Sequence, residues 1–176
     1  MYDPPHLRWA NDQLWEALRS ELPFEAPEQL TRGADPWADW RDPALLLSQT
    51  CSLPFRAKLS ESLTYVASPV HGLPGCPPGY YHSTVVVRRA LDRVEGARLA
   101  LNDPLSQSGW AAAQGFGALP WVLTGAHRAS LAAVASGAAD VAFIDSVTLQ
   151  LLGLPPETED RATTPPEPAQ PYVTGV

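Results

Sequence analysis

The sequence predicts an α/β fold with a mostly parallel sheet, and three observations carry that expectation. Short apolar or β-branched runs alternate with segments of helical period along most of the chain. The apolar run Leu45-Leu46-Leu47 stops abruptly at a polar cluster, the pattern of a buried strand that opens into a loop. Finally, 45 % of the 176 residues are apolar and only 18 % are charged, so the chain can bury a core and does not have a disordered composition.

Taken in order, residues 11–22 predict a helix. Leu14, Trp15, Leu18 and Leu22 share one face, Asn11 or Asp12 caps the start, and Pro23 ends it. Trp37 and Trp40 lie in a polar stretch that predicts at most a short helical turn. A strand at 45–47 opens into Ser48-Gln49-Thr50. A short polar helix near 54–62 precedes a strand at 63–67. The segment PVHGLPGCPPG at 69–79 is turn-forming throughout and reads as a linker between two lobes.

Beyond the linker, residues 81–88 form a β-branched strand and 98–101 another, which runs into NDPLSQSG at 102–109. Alanine-rich residues 110–115 predict helix. So do 127–137, closed by Gly137. Val141 to Ile144 form a buried strand ending at Asp145, and a helix covers 146–152. The proline-rich remainder carries a last extended piece at 171–174. The expected division is a first lobe of residues 1–78 plus 163–176 and a second of 79–162.

Charge narrows the partners. The net charge is −7 and the longest basic run is Arg88-Arg89. Nucleic-acid binding needs a basic patch, so that class is set aside. A small anion is still admitted, because a nest of backbone N–H groups acts locally whatever the net charge. No stretch approaches the roughly 20 apolar residues of a membrane span. Met1 to Pro5 lacks the basic and apolar regions of a signal peptide. Cys51 and Cys76 fit no metal motif, and either two free thiols or one disulfide fits their number. The GxSxG, GxxxxGK[ST] and GxGxxG motifs are absent, so no nucleophile elbow or nucleotide cofactor is expected.

In open α/β sheets ligands bind beyond the C-terminal strand ends. Three predicted strands end in polar clusters: Ser48 to Thr50, Asn102 to Gly109, and Asp145-Ser146. In the second, Pro104 turns the chain and Ser106 and Ser108 flank a helix start, where unpaired N–H groups and roughly half a positive charge favour an oxyanion. Plain capping by one serine explains the same pattern. Thr124-Gly125-Ala126-His127 repeats the theme, with His127 in the first turn of a helix. Asp145 is placed either to accept from a ligand ammonium or to cap the helix after it. Ser106 or Ser108, His127 and Asp145 also contain the residue types of a nucleophile, base and orienter, which keeps a hydrolase as an alternative.

The segments LLLSQTC, GYYHSTVVVRR, LNDPLSQSGW and TGAHRASLAAVASGAADVAFID together resemble the phosphate/phosphite/phosphonate substrate-binding proteins of ABC transporters. The most specific part is NDP-x-S-x-SG followed by TG-x-H and by a strand ending in Asp. The resemblance implies the two-lobed type 2 periplasmic-binding fold, a cleft between the lobes that closes by hinge motion, no catalysis and no cofactor. It implies that Ser106, the Gln107 backbone N–H, Ser108 and His127 grip the oxygens of a phosphonate, phosphate or phosphite. Gln107 stands where phosphonate binders often carry a hydroxyl residue. Asp145 and Tyr80 or Tyr81 would read the rest of the ligand, an amine included. Tyr2, Ser48, Gln49 and Thr50 would line the first-lobe side, and Cys51 and Cys76 would lie close enough to pair. The implied protein is a monomer in the periplasm or otherwise outside the cytoplasm that docks on a membrane permease, and the signal-peptide pattern missing from Met1 to Pro5 leaves a cytoplasmic location open. Relatives continue past the last matched strand with helices that complete the first lobe, so a shortened first lobe is expected. A ligand-sensing module that meets no transporter is the other alternative.

Overall fold

The computed structural model describes residues 3–33, 35–117 and 119–175. A 3₁₀ turn at Pro5–Leu7 leads into α1 (Arg8–Ser20), which starts three residues before the predicted helix. Pro5 is tolerated there because the N–H groups of a first turn have no helical acceptor. Of the predicted apolar face, Trp15 alone is buried, and its Nε1 donates to Pro27 O at 3.0 Å. Leu14 and Leu18 stay about 40 % exposed. In α2 (Pro36–Asp39) the Asp35 carboxylate caps the Trp37 N–H at 3.0 Å. This turn sends Trp40 into a small core with Leu59, Leu63 and Val173.

The first strand, β1 (Ser48–Gln49), begins where the sequence predicted a loop, and residues 45–47 are not a strand. The ladder starts at Ser48, so it is the polar residues that pair and are buried. The short helix α3 (Ser52–Pro54) runs on into a π-helical turn, Phe55–Leu59. The remaining strands are β2 (Leu63–Ala67), β3 (Tyr80–Tyr81), β4 (Ser83–Arg88), β5 (Leu99–Leu101), β6 (Trp121–Leu123), β7 (Val141–Asp145), β8 (Thr158–Thr163), β9 (Glu167–Pro168) and β10 (Tyr172–Gly175). Two further helices are α4 (His127–Ser136) and α5 (Ser146–Leu152). Gly137 ends α4 with φ of 80°, a left-handed conformation that a side chain would strain.

The larger sheet has the order β6-β5-β7-β4-β8. Its central strands show no polar alternation because both faces are covered. Val85, Val87, Leu99, Leu101, Val141 and Phe143 fill one face with Ala112 and Ala113. Val86, Ala100, Ala142 and Ile144 fill the other beneath Leu131 and Val134 of α4. Fully burying one such aliphatic side chain is worth roughly 1.5–3 kcal/mol.

The fold is α/β as expected, but the mostly parallel sheet is not what forms. β5 is parallel to β6 and β7, whereas β4 is antiparallel to both β7 and β8. In the smaller sheet β10 lies between β1 and β2, antiparallel to each. Parallel pairing needs a crossover, and helical segments supply it between β5 and β6 and between β6 and β7. The chain beyond 153 returns as strands β8, β9 and β10 and closes the ladders of all three sheets. The parallel strands β5, β6 and β7 therefore end at one edge, where segment 102–109, the start of α4 and the start of α5 meet.

Candidate functional site

Asp103 and Pro104 turn the chain after β5, and the π-helical turn Gln107–Ala111 follows. Ser106 caps that turn: its Oγ accepts from the Gly109 N–H at 3.0 Å and from Asn102 Nδ2 at 3.0 Å. Gly109 is required here, because a methyl group at its Cα would overlap the Asn102 side-chain oxygen. Ser106 is thus engaged as a cap. Ser108 Oγ lies 3.4 Å from Ser106 Oγ and 2.9 Å from His127 Nε2. Segment 106–108 and the first turn of α4, separate in sequence, form one network.

His127 Nδ1 is buried and has no hydrogen-bond partner among the described residues. Burial holds the imidazole below its usual pKa, and the neighbouring Asp145 charge offsets part of that effect. The helix α4 starts without a side-chain cap, since Ala126 precedes it. At this start, Ala126, His127 and Arg128 line a cavity of about 460 Å³. Gln49, Asp145, Gln170 and Tyr172 also line it. The Tyr172 phenol, half-buried in this wall, is raised above its usual pKa by burial. A second cavity of about 480 Å³ surrounds Trp15 and Arg32 and includes, of the expected site residues, Ser48.

Asp145 is 2 % exposed. Its Oδ1 accepts from the N–H groups of Val147 and Thr148 at 2.8 and 3.0 Å, and its Oδ2 accepts from Gln170 Nε2. Of its two expected roles, capping is the one observed. The carboxylate is also not the orienter of His127, whose Nδ1 has no partner among the described residues, so these three residue types do not assemble as a Ser–His–Asp relay.

The remaining expectations divide. The Gln107 N–H, expected to face the ligand, donates to Cys51 Sγ at 3.3 Å. The buried Gln107 side chain accepts from Arg56 Nη2 at 2.7 Å and donates from Nε2 to Glu167 Oε2 at 2.6 Å. The structure shows no disulfide between Cys51 and Cys76, the pairing that the resemblance implies; Cys51 Sγ serves instead as an acceptor on the serine turn. Tyr81 is fully buried against Leu73 and Ala169 and is core rather than cleft wall. Tyr80, 40 % exposed, pairs with Pro168 and lines neither cavity. Gln49 Nε2 donates to Gln170 O at 3.3 Å, while Thr50 is buried and its N–H donates to Pro171 O at 3.0 Å. Tyr2 lies outside the described residues. Sequence reasoning missed Arg56, Glu167, Gln170 and Arg128. Of these, only Arg128, next to His127 in the first turn, carried a readable signal.

Two other observations bound the chemistry. Among the described residues no group of three or more His, Cys, Asp or Glu side chains is arranged to hold a metal ion. No described helix is long and apolar enough to cross a membrane.

Comparison with known families now decides the relationship. Residues 63–175, well over half of the chain, match the family described as ABC transporter, phosphonate, periplasmic substrate-binding protein. The chain belongs to this family. No curated protein matches the sequence. Among solved structures, this phosphonate-family chain is similar to PhnD1 from Prochlorococcus marinus in complex with methylphosphonate, with a TM-score of 0.63 at 18 % identity, covering 78 % of this chain and 59 % of that one. A binding-protein component of an ABC phosphonate transporter from Pseudomonas aeruginosa gives 0.55 at 13 % identity, covering 94 % and 64 %. A periplasmic His/Glu/Gln/Arg/opine family-binding protein from Silicibacter pomeroyi in complex with lysine gives 0.56 at 17 % identity, covering 96 % and 71 %. At these identities the likeness establishes the type 2 periplasmic-binding fold alone. The chain spans less than two thirds of the length of the two phosphonate-related structures. The family is one of substrate-binding proteins and not of enzymes.

Proposed function

We propose that this chain is the solute-binding component of an ABC-type importer, works outside the cytoplasm as a monomer, and binds a small oxyanion without transforming it. The first lobe would comprise residues 1–78 and 163–176 and the second 79–162, with the ligand between them and a membrane permease as partner. One observation carries the reading. His127, held by Ser108 behind it, and the uncapped start of α4 lie at the shared edge of β5, β6 and β7 and line a cavity walled by residues from both proposed lobes, which Ser108 itself does not line. His127 Nδ1, buried and without a hydrogen-bond partner among the described residues, has unused hydrogen-bonding capacity.

The Cys51–Gln107 contact occupies the N–H that the family resemblance assigns to the anion. Binding through that N–H requires the thiol to give way. Anion recognition centred on His127 and Arg128 does not. A hydrolytic reading lacks its orienting carboxylate, because Asp145 is committed to α5 and Gln170.

A thermal-shift screen tests the proposal. Phosphate, phosphite, methylphosphonate, longer alkylphosphonates, 2-aminoethylphosphonate, sulfate and neutral metabolites are compared. A ligand that binds only the folded state raises the melting temperature with concentration, by an amount that follows its dissociation constant. The reading expects a rise with phosphorus oxyanions. No response to any oxyanion by well-folded protein refutes it.

A further inference from the structure

The oxyanion-binding reading fixes one end of a ligand, and the cavity constrains the other. Pockets of roughly 300–1,000 Å³ hold organic ligands. A bare tetrahedral oxyanion at His127 and Arg128 would leave most of the 460 Å³ space unfilled. The apolar residues of its wall are Pro4, Leu7, Pro69, Val147, Leu151 and Leu152. Pro4 and Leu7 belong to a segment outside the stretch matched by the family.

The charges on the rim sort in the same direction. Asp3 is held by Arg32 at 2.8 Å and by Arg8 at 3.4 Å, and the Arg32 hydrogen bond keeps its carboxyl below the usual range. Asp145 is turned into the start of α5 and toward Gln170. Asp3 is thus charge-paired with two arginines, and Asp145, though still charged, has both oxygens engaged by Val147, Thr148 and Gln170, so the carboxylate hydrogen bonds that a ligand ammonium would need are already made within the protein. Arg128 has no carboxylate partner among the described residues. One end of the cavity carries the cationic Arg128 beside His127, and the rest is largely apolar, with polar groups from Gln49, His71, Thr148, Gln170 and Tyr172.

We propose that the ligand is an oxyanion carrying an extended apolar substituent and no amine, with its anionic head at the start of α4 and its tail against Leu7, Pro69 and Leu151. This inference rests on the oxyanion-binding reading and narrows its substrate class. Inorganic phosphate and aminoalkylphosphonates become poor ligands. Each methylene transferred from water to such walls is worth roughly fourfold in affinity.

Calorimetric titrations of the purified chain with inorganic phosphate, methylphosphonate, n-butylphosphonate and 2-aminoethylphosphonate test it. The expected result is n-butylphosphonate binding at least tenfold tighter than methylphosphonate and 2-aminoethylphosphonate no tighter than methylphosphonate. Leu151→Asp, a change at a partly exposed position, is expected to bring the butyl-to-methyl ratio below threefold. Equal or weaker binding of the butyl compound, or a ratio unchanged by Leu151→Asp, overturns the apolar-tail inference while leaving the oxyanion reading intact. Absence of binding by all four overturns both.

Discussion

Replacing Asp145 by alanine separates the two roles that its position at a strand end permits. The side chain is 2 % exposed, accepts two N–H groups of α5 and receives the Gln170 amide. Loss of an aspartate N-cap costs about 1 kcal/mol, within a range of roughly 0.5–2. A buried amide left without its acceptor costs a further ~1–3 kcal/mol. The two terms share one carboxylate and are not strictly additive, so the expected loss is about 2–4 kcal/mol. In a chain of this size each kcal/mol moves the melting temperature by roughly 2–4 °C, which places the variant about 4–16 °C below the parent. Urea denaturation followed by circular dichroism measures the loss. Asp145→Asn keeps an acceptor for α5 and is expected to fall between the two. A loss below about 1 kcal/mol for Asp145→Ala would refute the capping assignment, because a carboxylate kept for a ligand contributes little to folding.

Three further predictions follow from the same geometry. Because burial lowers the His127 pKa, the unfolded chain takes up a proton before the folded one does as pH falls. Stability should therefore decrease below about pH 6.5, by at most ~1.4 kcal/mol per pH unit from this group, and His127→Gln should flatten that slope in urea midpoints measured across the range. Gly109→Ala forces Asn102 off Ser106 and should destabilise by roughly 1–3 kcal/mol, a thermal melt being sufficient to see it. Thiol titration of the denatured, unreduced protein should find both Cys51 and Cys76 reactive, and finding neither would show that they pair.

The legible parts of the fold were those whose burial imposes a pattern. The run Val85-Val86-Val87, the strand Val141 to Asp145 and the helix closed by Gly137 are all covered by neighbours, and their side chains say so. Strand β8 was missed because Thr158 to Thr163 forms a sheet edge with mostly exposed, charged side chains. Strand β6 was missed for the related reason that Trp121, Val122 and Leu123 are all exposed at the opposite edge. Strand direction cannot be read from periodicity at all, which is why the antiparallel pairing of β4 and β10 contradicted the expected parallel sheets.

At the site, the Ser108–His127 meeting followed from two strand-end loops on one sheet edge. The partners that divide roles between Asp145, Gln170 and Gln107 come from residues 25 to 121 positions away, including the C-terminal segment that the sequence presented as a proline-rich tail. Local propensity carries no record of such contacts.

The central claim is that Ser108 and His127 belong to the oxyanion site, and isothermal titration of the parent and of the Ser108→Ala/His127→Ala double variant with methylphosphonate and with inorganic phosphate tests it most directly. The account predicts that the double variant, shown to be folded by circular dichroism, binds whichever anion the parent binds at least tenfold more weakly, a loss of about 1.4 kcal/mol or more. Unchanged affinity in the folded double variant would contradict it and place the anion elsewhere.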